Sequence, residues 1–328
     1  MDEDIKEKKE HAYSKILQAK GTNAVAHSSY KRFTIDKMSD VAILKNKGVL
    51  ITMENYQNSK LNILTLRVLD ILIMKLTKEI PYKCISEEKF LHCRNVELSV
   101  KEFMDISGLK DRKEATKQLN EAVNSIFNIY LECEDGKIDV PNGKPKRFKW
   151  QIRILESICT EIGHLPVKNG KVSVIFTMTI AQYLSQKYIM PYPNKLLTIN
   201  ARQNPLSYYL GRVLAEHHNM NRSKENSNRI SVRTLMKACP DLPTYEEIFS
   251  DSRQVSKRII KPLERDLNAL RDKYAVLSDW RYCNSIDDQK ENDEKQKLNY
   301  HEWEKQIVEF HLADYPKWKS LKKNIKTA

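Results

Sequence analysis

The 328-residue sequence holds only eight glycines and no G-x-x-x-x-G-K-[ST] loop, which disfavours nucleotide hydrolysis on a P-loop. Its six cysteines (Cys84, Cys93, Cys133, Cys159, Cys239 and Cys283) include no C-x-x-C pair. In a cytosolic chain that scatter reads as buried, reduced thiols. Cys84, His92 and Cys93 sit close together but lack a fourth ligand at useful spacing, so no metal and no cofactor is assigned. The longest apolar stretch, Ile63 to Leu76, is broken by Arg67, Asp70 and Lys75 and falls short of the roughly 20 residues a spanning helix needs. The first ten residues are charged, without the apolar core of a secretory signal, and the expectation is a cytoplasmic protein with no membrane partner.

Basic charge is abundant. Lys plus Arg number 56 against 43 for Asp plus Glu, a formal net charge of +13, and such an excess attracts polyanions, nucleic acid first. The length suits two domains with proper cores.

An internal repeat organises the chain. Leu98-Ser-Val-Lys-Glu-Phe-Met104 returns as Ile230-Ser-Val-Arg-Thr-Leu-Met236. Each copy occupies the same place in the same order of elements, as a repeated supersecondary unit does. A helix comes first, over Asn62 to Lys78 or over Asn204 to His218, the second with Asn204 as N-cap and Pro205 at its first position. A short strand follows, Val96 to Leu98 or Arg229 to Ile230. Ser99 or Ser231 then caps a short helix, a turn intervenes (the longer one beginning at Pro240), and a long amphipathic helix comes next. β-rich segments close each copy: Ile129 to Glu134, Phe148 to Ile158 and Lys171 to Thr177 in the first, and a hairpin of Tyr274 to Leu277 with Trp280 to Cys283 around Ser278-Asp279 in the second. This order predicts an α+β chain of two tandem winged-helix (helix-turn-helix) domains with small antiparallel sheets. The expected division is a polar N-terminal extension over 1–45, winged helices over 46–190 and 191–284 with a Pro-marked boundary at Met190 to Asn194, and a charged tail over 285–328 with a short helix in Tyr300 to Leu312.

The last helix of each unit is the one that enters a major groove in this architecture. In the second, Val255, Ile259, Leu263, Leu267 and Leu270 fall in one arc, and Arg253, Lys257, Arg258, Lys261 and Arg265 fall opposite. Arg253, Gln254, Ser256 and Lys257 lie nearest its N-terminus, where side chains reach base edges, whereas Lys261 and Arg265 suit phosphates. Pro262 predicts a bend or an unpaired carbonyl. The first such helix, Asp111 to Asn128, turns Ala115, Leu119, Ala122 and Ile126 inward, and its outer face is mixed, with Lys113, Lys117, Glu114 and Glu121. Lys110 and Arg112 stand at its start, and Lys144, Lys146, Arg147 and Lys149 form a basic wing able to lie along phosphate or a minor groove.

Val255-Ser-Lys-Arg-Ile-Ile-Lys-Pro-Leu-Glu-Arg-Asp-Leu-Asn268, with its basic start, internal proline and closing acidic-apolar-Asn step, resembles the second recognition helix of the tandem winged-helix, iteron-binding plasmid replication initiators (Rep proteins). Val123-Asn-Ser-Ile-Phe-Asn-Ile-Tyr-Leu131 similarly resembles that family's first-domain passage from helix into strand. The resemblance covers roughly Met53 to Cys283 and implies binding of double-stranded DNA at direct repeats of an origin to start replication of a plasmid or mobile element. It also implies a homodimer in some states, recruitment of host replication proteins such as the replicative helicase, and no active site. The long turn after Pro240 departs from the family pattern. A rolling-circle nickase is the enzyme alternative, with Tyr183 and Lys187 as its Tyr-Lys pair, although His217-His218 lack the His-apolar-His spacing of a strand-borne metal site. A transcriptional repressor is the other alternative.

Overall fold

The computed structural model describes residues 12–59, 61–80, 91–138, 146–158, 166–185, 188–248, 252–283 and 300–316. Its first unit is built round one helix, α2 (Ile63–Glu79), which starts where the Asn62 side chain accepts the Thr65 backbone N–H at 3.0 Å. Most of its residues are buried, as in a helix enclosed on all sides. It packs on β1 (Tyr13–Gln18), on β5 (Asn95–Ser99) and on α4 (Arg112–Phe127). An antiparallel sheet in the order β2 (Thr34–Asp36), β3 (Val41–Asn46), β4 (Val49–Glu54), β6 (Ile129–Ile138), β7 (Lys146–Arg153) packs through β4 and β6 on α1 (Lys20–Ala26). Val49, Ile51 and Met53 alternate inward from β4, and Ile51 pairs with Leu131. A second sheet runs β5, β9 (Lys171–Phe176), β8 (Leu155–Ile158), so the Phe148 to Ile158 segment expected as one strand divides at Ile154 between two sheets.

The helix-turn-helix of this unit is α3 (Val100–Ser107) and α4, joined through Gly108 in the left-handed region at φ 72°. After α5 (Met178–Ser185) the second unit repeats it: α6 (Ser207–Asn221), β11 (Arg229–Ser231), α7 (Val232–Ala238), then a helix in three pieces, α8 (Ser252–Val255), a π turn (Ser256–Ile260) and α9 (Lys261–Asp272). The repeated serines do the same work in both units. Ser99 accepts from Glu102 N at 3.0 Å and Ser231 from Thr234 N at 3.3 Å.

Three expectations need correction. From Tyr13 onward the N-terminal segment is not a polar extension: Ile16, Leu17, Ala24 and Val25 of β1 and α1 are core residues. The Pro-marked boundary stretch is itself ordered. It forms β10 (Tyr188–Pro193), paired antiparallel with β1 so that Ile16 faces Met190, in a two-stranded ribbon where prolines are tolerated. The stretch from Tyr300 to Leu312 is one helical turn, α10 (Tyr300–Trp303), followed by β13 (Ile307–Leu312), and β13 is the central strand of the second unit's sheet, in the order β11, β13, β12 (Leu277–Cys283). Trp303 and Phe310 are buried there, and the same apolar spacing fits either period over so short a window. The expected hairpin within Tyr274 to Cys283 is one strand, β12 (Leu277–Cys283), with an irregularity between Leu277 and Asp279 and with β13 as partner. Three thiols are described, all free: Cys239 and Cys283 buried, Cys93 half-buried.

The two units meet across a buried polar network. Asp70 on α2 accepts from Tyr208 Oη at 2.6 Å and from Arg212, and Arg212 also donates from Nε to Glu216 at 3.0 Å. Glu216 in turn accepts from His27 Nε2 at 3.0 Å. Arg212, Glu216, Asp70 and His27 are all buried, and the Arg212 guanidinium lies beside the Tyr192 ring. Burial pushes the His27 imidazole below its ordinary pKa, so it sits neutral with Nε2–H on the carboxylate and Nδ1 without a hydrogen-bond partner. Burial alone would raise the Glu216 carboxyl, but His27, Arg212 and Lys47 outweigh it and hold the group at about 2.

Both shifts give stability that acid removes. Below about pH 6.5 the unfolded chain takes up an imidazole proton that the folded His27 refuses, and below about pH 4.5 it takes up a carboxyl proton that the folded Glu216 refuses until near pH 2. The melting temperature is therefore expected to fall from pH 7 to pH 5. His27→Gln should flatten that interval; an unchanged slope in the variant would assign the acid sensitivity elsewhere.

Candidate nucleic-acid interface

The outer helix of the second unit is continuous from Ser252 to Asp272 because its proline is accommodated, not because it is absent. In an α pattern the missing N–H of Pro262 would orphan the Arg258 carbonyl and its ring would press on that oxygen. The backbone instead widens into the π turn, in which Lys261 N–H reaches back five residues to Ser256 O. The expectation of a bend or an unpaired carbonyl at Pro262 thus falls at a π turn that ends two residues before it.

Its inner arc is as the spacing predicts: Val255, Ile259, Leu263, Leu267 and Leu270 are buried. On the other side Gln254, Lys257, Arg258, Lys261 and Arg265 are exposed, and Ser256 is half-buried. Arg258 reaches Gln254 Oε1 at 3.4 Å, and Arg265 pairs with Asp266 at 2.8 Å while remaining 51% exposed. Arg253 lies in α8 by its backbone, and its side chain is outside the described residues. Gln254, Ser256, Lys257, Arg258 and Lys261 thus form one polar strip along the π turn, with Arg265 one turn beyond.

The residue that sequence reasoning missed is Asp266. It falls on the apolar arc between Leu263 and Leu270, fully buried, and its Oδ2 accepts the backbone N–H groups of Leu206 at 2.6 Å and Ser207 at 2.9 Å. Asp266 is therefore the N-cap of α6, supplied from another helix, where negative charge is favoured by the dipole. Asn204, expected to cap that helix, instead accepts from Tyr274 Oη at 3.1 Å. An acid at an apolar phase was the available signal. Gly211 of α6 lets the crossing close, since a Cβ there would run into Leu196 and crowd Leu270. Asp266→Ala is expected to cost about 1–3 kcal/mol in urea denaturation by stranding two buried N–H groups. A loss below about 0.5 kcal/mol would mean that α6 finds another cap.

In the first unit α4 is capped by Asp111, which accepts from Lys113 N at 2.8 Å. Ala115, Leu119, Ala122 and Ile126 are buried, and Lys110, Arg112, Lys113 and Lys117 are exposed beside Glu114 and Glu121. Beside this face Val167 N donates to the buried Asn120 at 2.7 Å, and Gly170 lies close to the Arg112 guanidinium. Lys146, Arg147 and Lys149 lie in β7, Arg147 opposite Lys137 of β6; their side chains, and Lys144 altogether, are outside the described residues.

The nickase residues are not brought together. Tyr183 is buried, His217 turns its ring toward Phe310, His218 packs 4.3 Å from Tyr315 and bonds Asn228, and Lys187 is outside the described residues. Among the described residues no group of three His, Cys, Asp or Glu could hold a metal ion, and no helix is long and apolar enough to cross a membrane.

A family model described as initiator replication protein, WH1, matches residues 22–192. Among solved structures, the Pi initiator protein in complex with iteron DNA superposes with a TM-score of 0.50 at 14% identity, covering 85% of this chain and 99% of that one. Domains 2 and 3 of RctB match with TM-scores of 0.43 (13% identity, 76% of this chain and 86% of that one) and 0.42 (12%, 84% and 91%). No curated protein sequence matches. The tandem winged-helix fold accords with the first of these structures, and the WH1 match spans more than half of the sequence, so the chain belongs to the initiator replication protein family.

Proposed function

We propose that this protein initiates replication of a plasmid or mobile element by binding double-stranded DNA at direct repeats of its origin. The observation that carries the reading is the exposed polar strip of Gln254, Lys257, Arg258 and Lys261, with Ser256 half-buried beside it, on a helix whose opposite side is locked into the core. Gln254 and Lys257, together with Arg253, take the base edges; Arg258, Lys261 and Arg265 take phosphates. Lys110, Arg112, Lys113 and Lys117 of the first unit add a second set of phosphate contacts, and Lys144, Lys146, Arg147 and Lys149 follow as a wing. The two reading units run from Tyr13 to Pro193 and from Asn194 to Leu312.

Initiation of this kind needs no active site. Copies on successive repeats deform the duplex, and added phosphate contacts offset the deformation energy. The burial of Tyr183 supports this reading over nicking, since a nucleophilic phenol has to reach a phosphodiester. For a homodimer, β2 supplies an exposed edge strand with Ile35 and the neighbouring Met38 in solvent.

Footprinting on DNA flanking the gene tests the function. Protection of tandem direct repeats is the expected result. A single protected inverted repeat would favour a repressor, and metal-dependent nicking of supercoiled DNA that is lost in Tyr183→Phe would overturn the non-enzymatic reading.

A further inference from the structure

The turn between α7 and α8 is several times longer than the three or four residues a helix-turn-helix requires, and it carries Pro240 and Pro243. A proline-rich turn of that length exposes backbone carbonyls that no helix satisfies. Here two of them are satisfied from the other unit. Arg32, in the 3-10 turn Tyr30–Arg32 that follows α1, donates from Nε to Pro240 O at 2.7 Å and from Nη2 to Leu242 O, and its Nη1 lies 3.6 Å from Glu247. Ser29 Oγ adds a bond to Asp241 at 2.8 Å, and Lys31 an ion pair with the same carboxylate at 3.5 Å.

The base of this strut is fixed. Asn46 Nδ2 donates to Ala24 O at 2.9 Å, His27 O at 3.1 Å and Ser28 Oγ at 3.1 Å, tying the segment to β3, and His27 is bonded to Glu216 on α6. Its far end is fixed as well. Glu247 accepts from Thr244 N at 3.0 Å while Thr244 Oγ1 accepts from Glu247 N at 3.4 Å, and this reciprocal pair ends the turn just before α8. Arg258 of the polar strip lines the same open cleft, of about 340 Å³, as Lys31, Arg32 and Glu247.

We infer that Arg32 is a positioning residue: by holding the Pro240 to Glu247 turn it sets the angle of the second unit's DNA-contact helix relative to the first unit, and with it the spacing between the two DNA segments the chain reads. The inference rests on the proposed DNA reading. A planar guanidinium suits the role, since it serves two carbonyls and a carboxylate in one fixed geometry, which a lysine ammonium does not.

The test uses the full chain and a duplex selected by it from a randomised pool, with and without about five base pairs, half a helical turn, inserted between the segments the two units protect. Rigidly linked units should lose about a hundredfold in affinity on insertion, because only one can then engage. Arg32→Ala and Arg32→Lys should each shrink that penalty to about tenfold or less. Their far-ultraviolet spectra should stay unchanged. Arg32→Lys keeps the charge, so it separates geometry from electrostatics, and it carries the test should Arg32→Ala fail to fold. A penalty as large in the folded variants as in the unaltered chain overturns the inference while leaving the DNA reading intact. Failure of the unaltered chain to select any duplex overturns both.

Discussion

Arg212→Met is expected to destabilise the chain by about 3–5 kcal/mol, the cost of leaving a buried charge without its partner. Arg212 is fully buried and is the guanidinium between two buried carboxylates, Asp70 of the first unit and Glu216 of the second. Methionine fills a similar volume, so the loss is electrostatic. Tyr208, His27 and Lys47 still reach the carboxylates after the change, but Tyr208 and His27 are neutral hydrogen-bond donors, and Lys47 lies 3.9 Å from Glu216 with its side chain 41% exposed. Because the network joins the two units, the urea transition should separate into two steps as well as shift. Trp280 and Trp303 in the second unit and Trp150 on β7 in the first give tryptophan fluorescence on both sides of the junction, so both steps are visible. Replacing the set together, Asp70→Leu with Arg212→Met and Glu216→Leu, should recover only part of the loss: a buried ion pair is often no more stabilising than apolar residues of its volume, but Tyr208 Oη and His27 Nε2 lose their acceptors. A single, unsplit transition with a loss under about 1 kcal/mol in Arg212→Met would show that water reaches the cluster and solvates the carboxylates.

What could be read from the sequence was local, and what escaped it was not. The two serine caps and the apolar arcs of the outer helices rest on bonds and periods within a few residues, and the structure has them where the spacing predicts. The functions of Asp70, Arg212 and Glu216 depend on partners far along the chain, 142 residues apart for Asp70 and Arg212, and no window reveals that. The same holds for β13, whose place between β11 and β12 follows from pairing across the segment 284–299. Its alternation is only six residues long, and Tyr300, Trp303, Ile307 and Phe310 happen also to fit a helix. The N-terminal segment was read as peripheral for a related reason. Its apolar residues come in short groups separated by polar ones, so nothing marked it as the piece that carries His27 and Arg32 to the second unit. Asp266 was legible in principle as an acid in an apolar arc, though its role as the cap of α6 was not. For the candidate interface, the spacing tells which side chains share a face; only the fold tells which face is open, and it leaves the cations of α4 and those of the helix over α8 and α9 in solvent.

Combined substitution of Lys257, Arg258 and Lys261 by alanine is expected to lower affinity for any duplex by about two powers of ten near physiological salt and to reduce the slope of log K against log salt by about 2, one for each of the phosphate cations Arg258 and Lys261. The reasoning starts from exposure: all three side chains are in solvent, and the only one with a polar contact noted above, Arg258, holds a long 3.4 Å bond to Gln254. Stability should change by no more than about 0.5 kcal/mol each, because none of them packs in the core. Each cation laid on a phosphate releases close to one condensed counterion, so the slope counts contacts and the affinity follows from it. The matching change in the first unit, Lys113→Ala with Lys117→Ala, should lower the slope by less than 2, since Glu114 and Glu121 share that face and the segment around Val167 lies along it. Arg253→Ala differs in kind. It sits at the helix start, where an arginine pairs two-fold with a guanine edge, so it should relax base preference by roughly 1–3 kcal/mol and leave the affinity for unrelated DNA almost as it was. If the triple variant keeps its salt slope, the duplex does not lie on this strip. If Arg253→Ala and the triple variant weaken selected and unrelated DNA equally, the strip holds phosphates alone and sequence is read by the first unit.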